Sequence, residues 1–289
     1  MRQGRHRGAA VLALLLLGAC SGAARDLERA NELRHAGKPR EALKAYQELL
    51  ADLGEGSLSR GSADVRLRAL KYAGDVSYLE LGDYDGAVTY YRRLISLYPA
   101  TEDAYRARAA IGDIYVDRLQ DRVAAIAQYA DIAGSESPEA PRYQLRVARE
   151  YLELKNYAQA RTEARILRER WPQSAEADEA QLLTAQSWAL EKRNDEALGA
   201  FQAAIDRRPR PEIAALAMEG EAHIYALQGK LDKALELYTQ ALPGHPNPDA
   251  IRTNIEKVRQ RREAAKTVTP GDRDAVFDRR IKEHTREVQ

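Results

Sequence analysis

The chain has 289 residues, 45 Lys and Arg against 44 Asp and Glu, a formal charge of +1 and one Cys. A single thiol excludes an internal disulfide framework and a cysteine-built zinc or iron–sulfur centre. The balanced charge gives no electrostatic footprint for nucleic acid. Ala and Leu dominate an apolar fraction of 44%, which favours helix over strand.

The first segment is a basic start (Arg2, Arg5, Arg7), an unbroken apolar run from Ala9 to Leu17, and then Gly18, Ala19 and Cys20. A bilayer crossing needs about 20 apolar residues, so the run reads as the core of an export signal rather than a span. The string Leu17-Gly18-Ala19-Cys20 resembles the lipobox of bacterial lipoproteins. That resemblance implies cleavage after residue 19, acylation of Cys20 and anchoring through several acyl chains, since one chain alone holds only marginally. Ser21 stands where an Asp commonly retains such proteins at the inner membrane, so the resemblance implies the outer membrane. Loss of residues 1–19 leaves 42 basic and 44 acidic residues. Residues 20–25 form a short tether, reaching about 20 Å when extended.

From residue 26 a repeat governs the pattern. Ala42, Ala87, Ala125, Ala160, Ala197 and Ala234 are each followed four residues on by Tyr46, Tyr91, Tyr129, Ala164, Phe201 and Tyr238. Three further on come Leu49, Leu94, Ile132, Leu167, Ala204 and Ala241. This i, i+4, i+7 spacing places one apolar stripe on a helix face. A second stripe lies upstream, at Leu33, Tyr78, Tyr115, Tyr151, Trp188 and Tyr225, and a turn residue at Gly37, Gly82, Lys155, Lys192 or Gly229 separates most pairs. Each unit is thus two antiparallel helices, the small Ala letting the backbones approach and the bulky neighbour filling the space beside it. Pro99, Pro172, Pro209 and Pro246 punctuate several units.

Units 141–174, 178–211 and 215–248 are regular; the first is followed by a Gly/Ser-rich insertion from Gly54 to Ser62, the second has Gly74 one place early, and the third carries an extra residue within Asp117–Val123. The spacing resembles the tetratricopeptide repeat over 26–248. The resemblance implies an all-α fold, an α-solenoid of about six helix pairs in which neighbours bury one another's stripes. Ile251, Ile255 and Val258 recur at i, i+4, i+7, with charged residues on the other faces, which predicts a C-terminal capping helix over 249–266. Pro270-Gly271 then breaks the pattern, leaving 267–289 as a charged, flexible tail that alternatively forms a short docking helix.

No catalytic constellation emerges. There is no Gly-rich phosphate loop ending in Lys-Ser or Lys-Thr and no His-Glu-x-x-His, and His35, His223, His245 and His284 are not at metal-ligand spacing. The segment from Gly54 to Gly61 follows a helical pattern rather than a strand and reads as a flexible inter-repeat loop. Asp272, Asp274 and Asp278 lack the Gly and terminal Glu of a calcium loop. The Tyr residues fall mostly at packing positions. The expectation is a non-enzymatic protein with no cofactor, no metal and no small-molecule substrate.

In the repeat architecture the first helix of each unit faces a partner. Candidates there are Asn31, Arg106, Asp113, Gln186 and His223, with Arg142, Arg146 and Arg149 at i, i+4, i+7 on one helix. That arginine stripe has two readings: an ion network answered by Glu179 or Asp113, or a docking stripe for an acidic peptide or carboxylate. Asn31 matches one position of the clamp by which repeat co-chaperones hold acidic C-termini, but Leu27 and Ala73 stand where that clamp has Lys and Asn. Tyr98-Pro99-Ala100-Thr101 and Trp171-Pro172-Gln173-Ser174 share a phrase that resembles repeats of envelope lipoproteins such as BamD and of the periplasmic protein CpoB, and it is compatible with pilus-secretin pilotins. This resemblance implies an outer-membrane, periplasm-facing scaffold, anchored through Cys20 and binding another envelope protein. The alternatives are a chaperone or pilotin acting transiently on secreted clients, and a cell-division or envelope coordination adaptor.

Overall fold

The computed structural model describes residues 22–54 and 56–267. The signal segment, the lipidation site at Cys20 and the tail beyond 267 lie outside the described residues. Two compact units divide the chain, the first ending at Tyr143 and the second starting at Gln144.

In the first unit α1 (22–35) pairs with α2 (Pro39–Leu53); α3 (Arg60–Asp75) runs on through a π-helical segment (Val76–Leu81) and pairs with α4 (Tyr84–Leu97); α5 (Glu102–Asp117) pairs with α6 (Arg122–Ala133). Packing is sequential, α2 on α3, α3 on α4, α4 on α5 and α5 on α6. The second unit opens within α7 (Ala140–Glu153), which pairs with α8 (Tyr157–Arg170). There follow the pairs α9 (Ala175–Leu190) with α10 (Asn194–Asp206) and α11 (Pro211–Leu227) with α12 (Leu231–Ala241), then α13 (Pro248–Thr267). First helices also touch, α9 on α11, and α13 closes on α12. The expected all-α fold of six helix hairpins and a final capping helix is therefore present.

The small-residue notches are the packing rule. Ala42, Ala87, Ala125, Ala160, Ala197 and Ala234 are all 0% exposed, and the side chain four residues on is buried in every hairpin. A buried side chain of Leu or Phe size contributes about 1.5–3 kcal/mol, so the repeated stripe, not helix propensity, holds each hairpin together. At the end, Ile251, Ile255 and Val258 of α13 pack with Ala222, Ala234 and Tyr238.

The turns explain the irregular units. In four hairpins the chain closes with a backbone bond spanning five residues: Lys38 to the Leu33 carbonyl, Asn156 to Tyr151, Arg193 to Trp188 and Lys230 to Tyr225. This is the wide bond of a Schellman helix end. In the second and third hairpins the corresponding bonds span six, Asp83 to Ser77 and Asp121 to Tyr115. The extra residue is absorbed as the π-helical segment Val76–Leu81 in one case and within 117–121 in the other. The left-handed residue before each donor is Gly37, Gly82, Gln120, Lys155, Lys192 or Gly229. Sequence reading left the third turn without a left-handed residue; Gln120 fills the position.

The shared aromatic-Pro phrase is a junction device. Thr101 and Ser174 are the N-caps of α5 and α9, their hydroxyls accepting from the amides of Ala104 and Ala177. Tyr98 reaches back and donates its hydroxyl to the Ala63 carbonyl at 2.9 Å. Of the Gly54–Ser62 segment, Gly54 and residues 56–59 are non-helical while Arg60 to Ser62 open α3, and the non-helical part is tied down. Arg66, only 6% exposed, donates to the carbonyls of Gly54 and Gly56, each at 3.1 Å, and to the Tyr98 hydroxyl at 2.8 Å.

Candidate functional site

The first-helix residues singled out by sequence fall into three environments. Asn31 accepts the Tyr46 hydroxyl at 2.7 Å, and Asp113 accepts the Tyr129 hydroxyl at 2.8 Å. Both acceptors thus serve their own hairpin. Burial pushes the Tyr46 phenol up to about 12, against a partial lowering by Arg34.

Arg106 lines a small cleft in the first unit with Glu102, Tyr105, Ile132, Ser137, Glu139 and Tyr143, about 130 Å³ in volume. Its guanidinium pairs with Glu102 at 2.5 Å. Arg142 donates to Glu139 at 2.9 Å. Arg146 lies half-buried on the same helix. In the second unit Arg149, 57% exposed, meets Glu179 at 2.5 Å, and Glu179 also takes Arg210 at 2.8 Å. Of the acids expected to answer the stripe, Glu179 does so for Arg149.

Gln186 and His223 come together. Both are exposed and line one cleft of about 230 Å³ between α9 and α11, with Ala189, Leu216, Glu219, Gly220 and Ile224 around it and Phe201 and Tyr238 contributing from the second helices. Phe201 and Ile224 are buried, so the floor is part of the packed core. The Phe201 ring lies so close to Gly220 that a Cβ there would fall 2.3 Å from Cζ. A glycine inside a 17-residue helix costs about 1 kcal/mol against Ala, and this ring contact is its physical reason. Glu219 projects at the cleft, 30% exposed, its Oε2 2.9 Å from Nε2 of buried His245. Beside it Glu221 is buried, and desolvation holds its carboxyl above the usual carboxylate range despite Lys233.

Sequence reasoning missed Glu219, Gly220 and the Phe201 floor. The readable signal was a glycine within an otherwise continuous α11 pattern, one hairpin after the bulky Phe201. Among the described residues no group of three or more His, Cys, Asp or Glu could hold a metal ion. No helix among them is long and apolar enough to cross a membrane.

Comparison with known proteins agrees with this architecture. Residues 145–211 and 193–250 match one tetratricopeptide-repeat family model, and residues 70–101 match a second. No curated protein sequence matches the chain. A tetratricopeptide repeat protein from Parabacteroides merdae is 17% identical, with 84% of this chain and 89% of that one covered at a TM-score of 0.51. The apo form of RapI is 13% identical, covering 84% of this chain and 72% of its own, at a TM-score of 0.56. At such identities the likeness is one of fold. The chain carries tetratricopeptide repeats, and such repeats form scaffolds for protein–protein interaction.

Proposed function

We propose that this protein is a non-enzymatic lipoprotein of the outer membrane, facing the periplasm, whose repeats hold a segment of another envelope protein during envelope or outer-membrane protein assembly. The observation that carries the reading is the open cleft between first helices α9 and α11 in a repeat body. The location rests on sequence: the apolar run Ala9–Leu17 ending at Leu17-Gly18-Ala19-Cys20. Acyl chains at Cys20 confine the body to the membrane surface, which raises its effective concentration for a membrane-embedded partner.

The test uses the full chain expressed in a Gram-negative host. Wild type is expected in the outer-membrane fraction, and Cys20→Ala in the soluble periplasmic fraction with its helical circular dichroism unchanged. A membrane-bound Cys20→Ala protein defeats the anchor. Affinity purification from gently solubilised envelopes is expected to return a stable, stoichiometric envelope partner. Only weak and varied clients in that experiment would favour a transient chaperone instead.

A further inference from the structure

The last two first helices are acidic, as is α10 between them, which carries Asp195, Glu196 and Asp206 and no Lys or Arg. α9 carries Glu176, Asp178 and Glu179, α11 carries Glu212, Glu219 and Glu221, and neither helix contains a Lys or Arg. Some of this charge is answered from outside, Asp178 by Arg207 at 2.8 Å and Glu179 by Arg149 and Arg210. Glu219 is answered only in part, by the imidazole of His245 on one oxygen, and it faces the cleft.

The cleft has two chemical halves. Ala189, Phe201, Leu216 and Ile224 supply an apolar floor; Glu219 supplies the one formal charge among the lining residues, with Gln186 and His223 exposed at the margin. Its volume of about 230 Å³ is below the roughly 300–1,000 Å³ of a drug-sized small-molecule site. That volume suits one large side chain rather than a cofactor.

We propose that this cleft seats an extended segment of the partner protein carrying one Leu- or Phe-sized apolar side chain beside a Lys or Arg, the apolar group on Phe201 and Leu216 and the cation at Glu219. The assignment rests on the scaffold reading above and adds the chemistry of what is bound. Apolar burial supplies affinity, while the carboxylate selects charge, since an acidic neighbour on the peptide meets like charge at the cleft. Gln186 and His223 are placed to hydrogen-bond the peptide backbone, which orients an extended chain without reading its sequence.

The test pans a random 12-residue peptide library on the full-length protein in detergent and measures the recovered peptides by fluorescence anisotropy. Recovered sequences are expected to pair Leu, Phe or Met with an adjacent Lys or Arg. Ala189→Trp, which fills the cleft, should weaken them at least tenfold. Glu219→Lys should reverse the preference from basic to acidic neighbours. Because Glu219 also contacts His245, His223→Lys provides a second variant; it places a cation at the mouth without touching that pair and should weaken basic peptides several-fold. Recovery of acidic peptides, recovery of none, or binding indifferent to Ala189→Trp and His223→Lys overturns the proposal. Should wild type and Ala189→Trp capture the same envelope partner equally, the scaffold reading survives and this cleft is not its site; should neither capture one, the scaffold reading itself fails.

Discussion

Tyr91 donates its hydroxyl to Asp75 at 2.8 Å while its ring lies against Gly74, where a Cβ would sit 2.5 Å from Cε1. The glycine admits the ring and the adjacent acid holds its tip. The same trio recurs one hairpin later, where Tyr129 covers Gly112 and bonds Asp113 at 2.8 Å. Tyr46 and Asn31 form a version without the charge. Three tyrosines that read from sequence as apolar fillers are therefore also polar latches between the two helices of their hairpins.

Removing the latch should be costly because Asp75 is half-buried or more and its carboxylate loses its hydroxyl donor. Tyr91→Phe is expected to destabilise by about 1–3 kcal/mol, read by urea denaturation at neutral pH. Gly74→Ala should destabilise too, since the ring it meets is packed in the core.

Asp75 gives a pH test with a definite sign. Burial holds its carboxyl above the usual range, opposed by the Tyr91 hydrogen bond and by Arg34 and Lys71, and reinforced by Asp103. A raised folded-state value means the proton is bound more tightly in the fold. Its favourable contribution is full below about pH 3.9, the unfolded value, and is lost as pH rises through the folded value. Asp75→Asn keeps an acceptor for Tyr91 and removes the charge, as Asn31 does for Tyr46. The variant should therefore be more stable than wild type at pH 7, with the gap closing near pH 3.5. Equal stability at pH 7 would show that Arg34 and Lys71 already offset the burial.

The turns offer an independent check on strain. Lys192 stands at φ 62° where Gly229 stands at φ 77° in the next hairpin. Left-handed backbone costs a side-chain-bearing residue about 1–2 kcal/mol. Lys192→Gly is expected to raise stability by about 1 kcal/mol and Gly229→Ala to lower it by a similar amount. No atom lies within 4 Å of a Cβ at 229, so backbone strain alone is being measured.

The balance between what was and was not legible in sequence follows from the range of the interactions. Helix pairs, notches and the capping helix are set by i, i+4, i+7 patterns within about 40 residues, and those patterns are visible directly. The one-residue insertions were visible as departures at Gly74 and within 117–123, but not their resolution into six-residue closing bonds, because that depends on backbone geometry. The pairing of Gln186 with His223 at one cleft was partly legible, both being first-helix positions in adjacent repeats. The role of Glu219 was not, since it depends on His245, 26 residues away in the turn segment after α12. Arg66 was missed for the same reason: its partners are loop carbonyls, which carry no side-chain signature.

Arg66 makes a direct prediction. Buried, stacked with its guanidinium carbon 5.6 Å from the Tyr98 ring centroid, and bonded to two loop carbonyls, it joins α3 to the segment between α2 and α3. Arg66→Lys keeps the charge but loses the planar fork that reaches both carbonyls and the phenol together. It is expected to cost about 2 kcal/mol, within the range for breaking a hydrogen bond to a charged group, and to make the chain susceptible to limited proteolysis between residues 54 and 60. Unchanged proteolysis with lowered stability would place the role of Arg66 in packing alone.

Arg149 separates the two readings of the arginine stripe. It is more than half exposed and shares Glu179 with Arg210, so the acid keeps one cation if the other is removed. Exposed pairs of this kind contribute at most about 1 kcal/mol. Arg149→Glu places a second carboxylate beside Glu179, yet Arg210 remains to answer it, and the thermal midpoint should fall by no more than a few degrees for a body of this size. Against that small structural cost, capture of the envelope partner by Arg149→Glu is the informative measurement. Loss of capture with the midpoint retained assigns Arg149 to a docking surface; retained capture with a clearly lowered midpoint assigns it to the ion network that joins α7, α9 and the approach to α11.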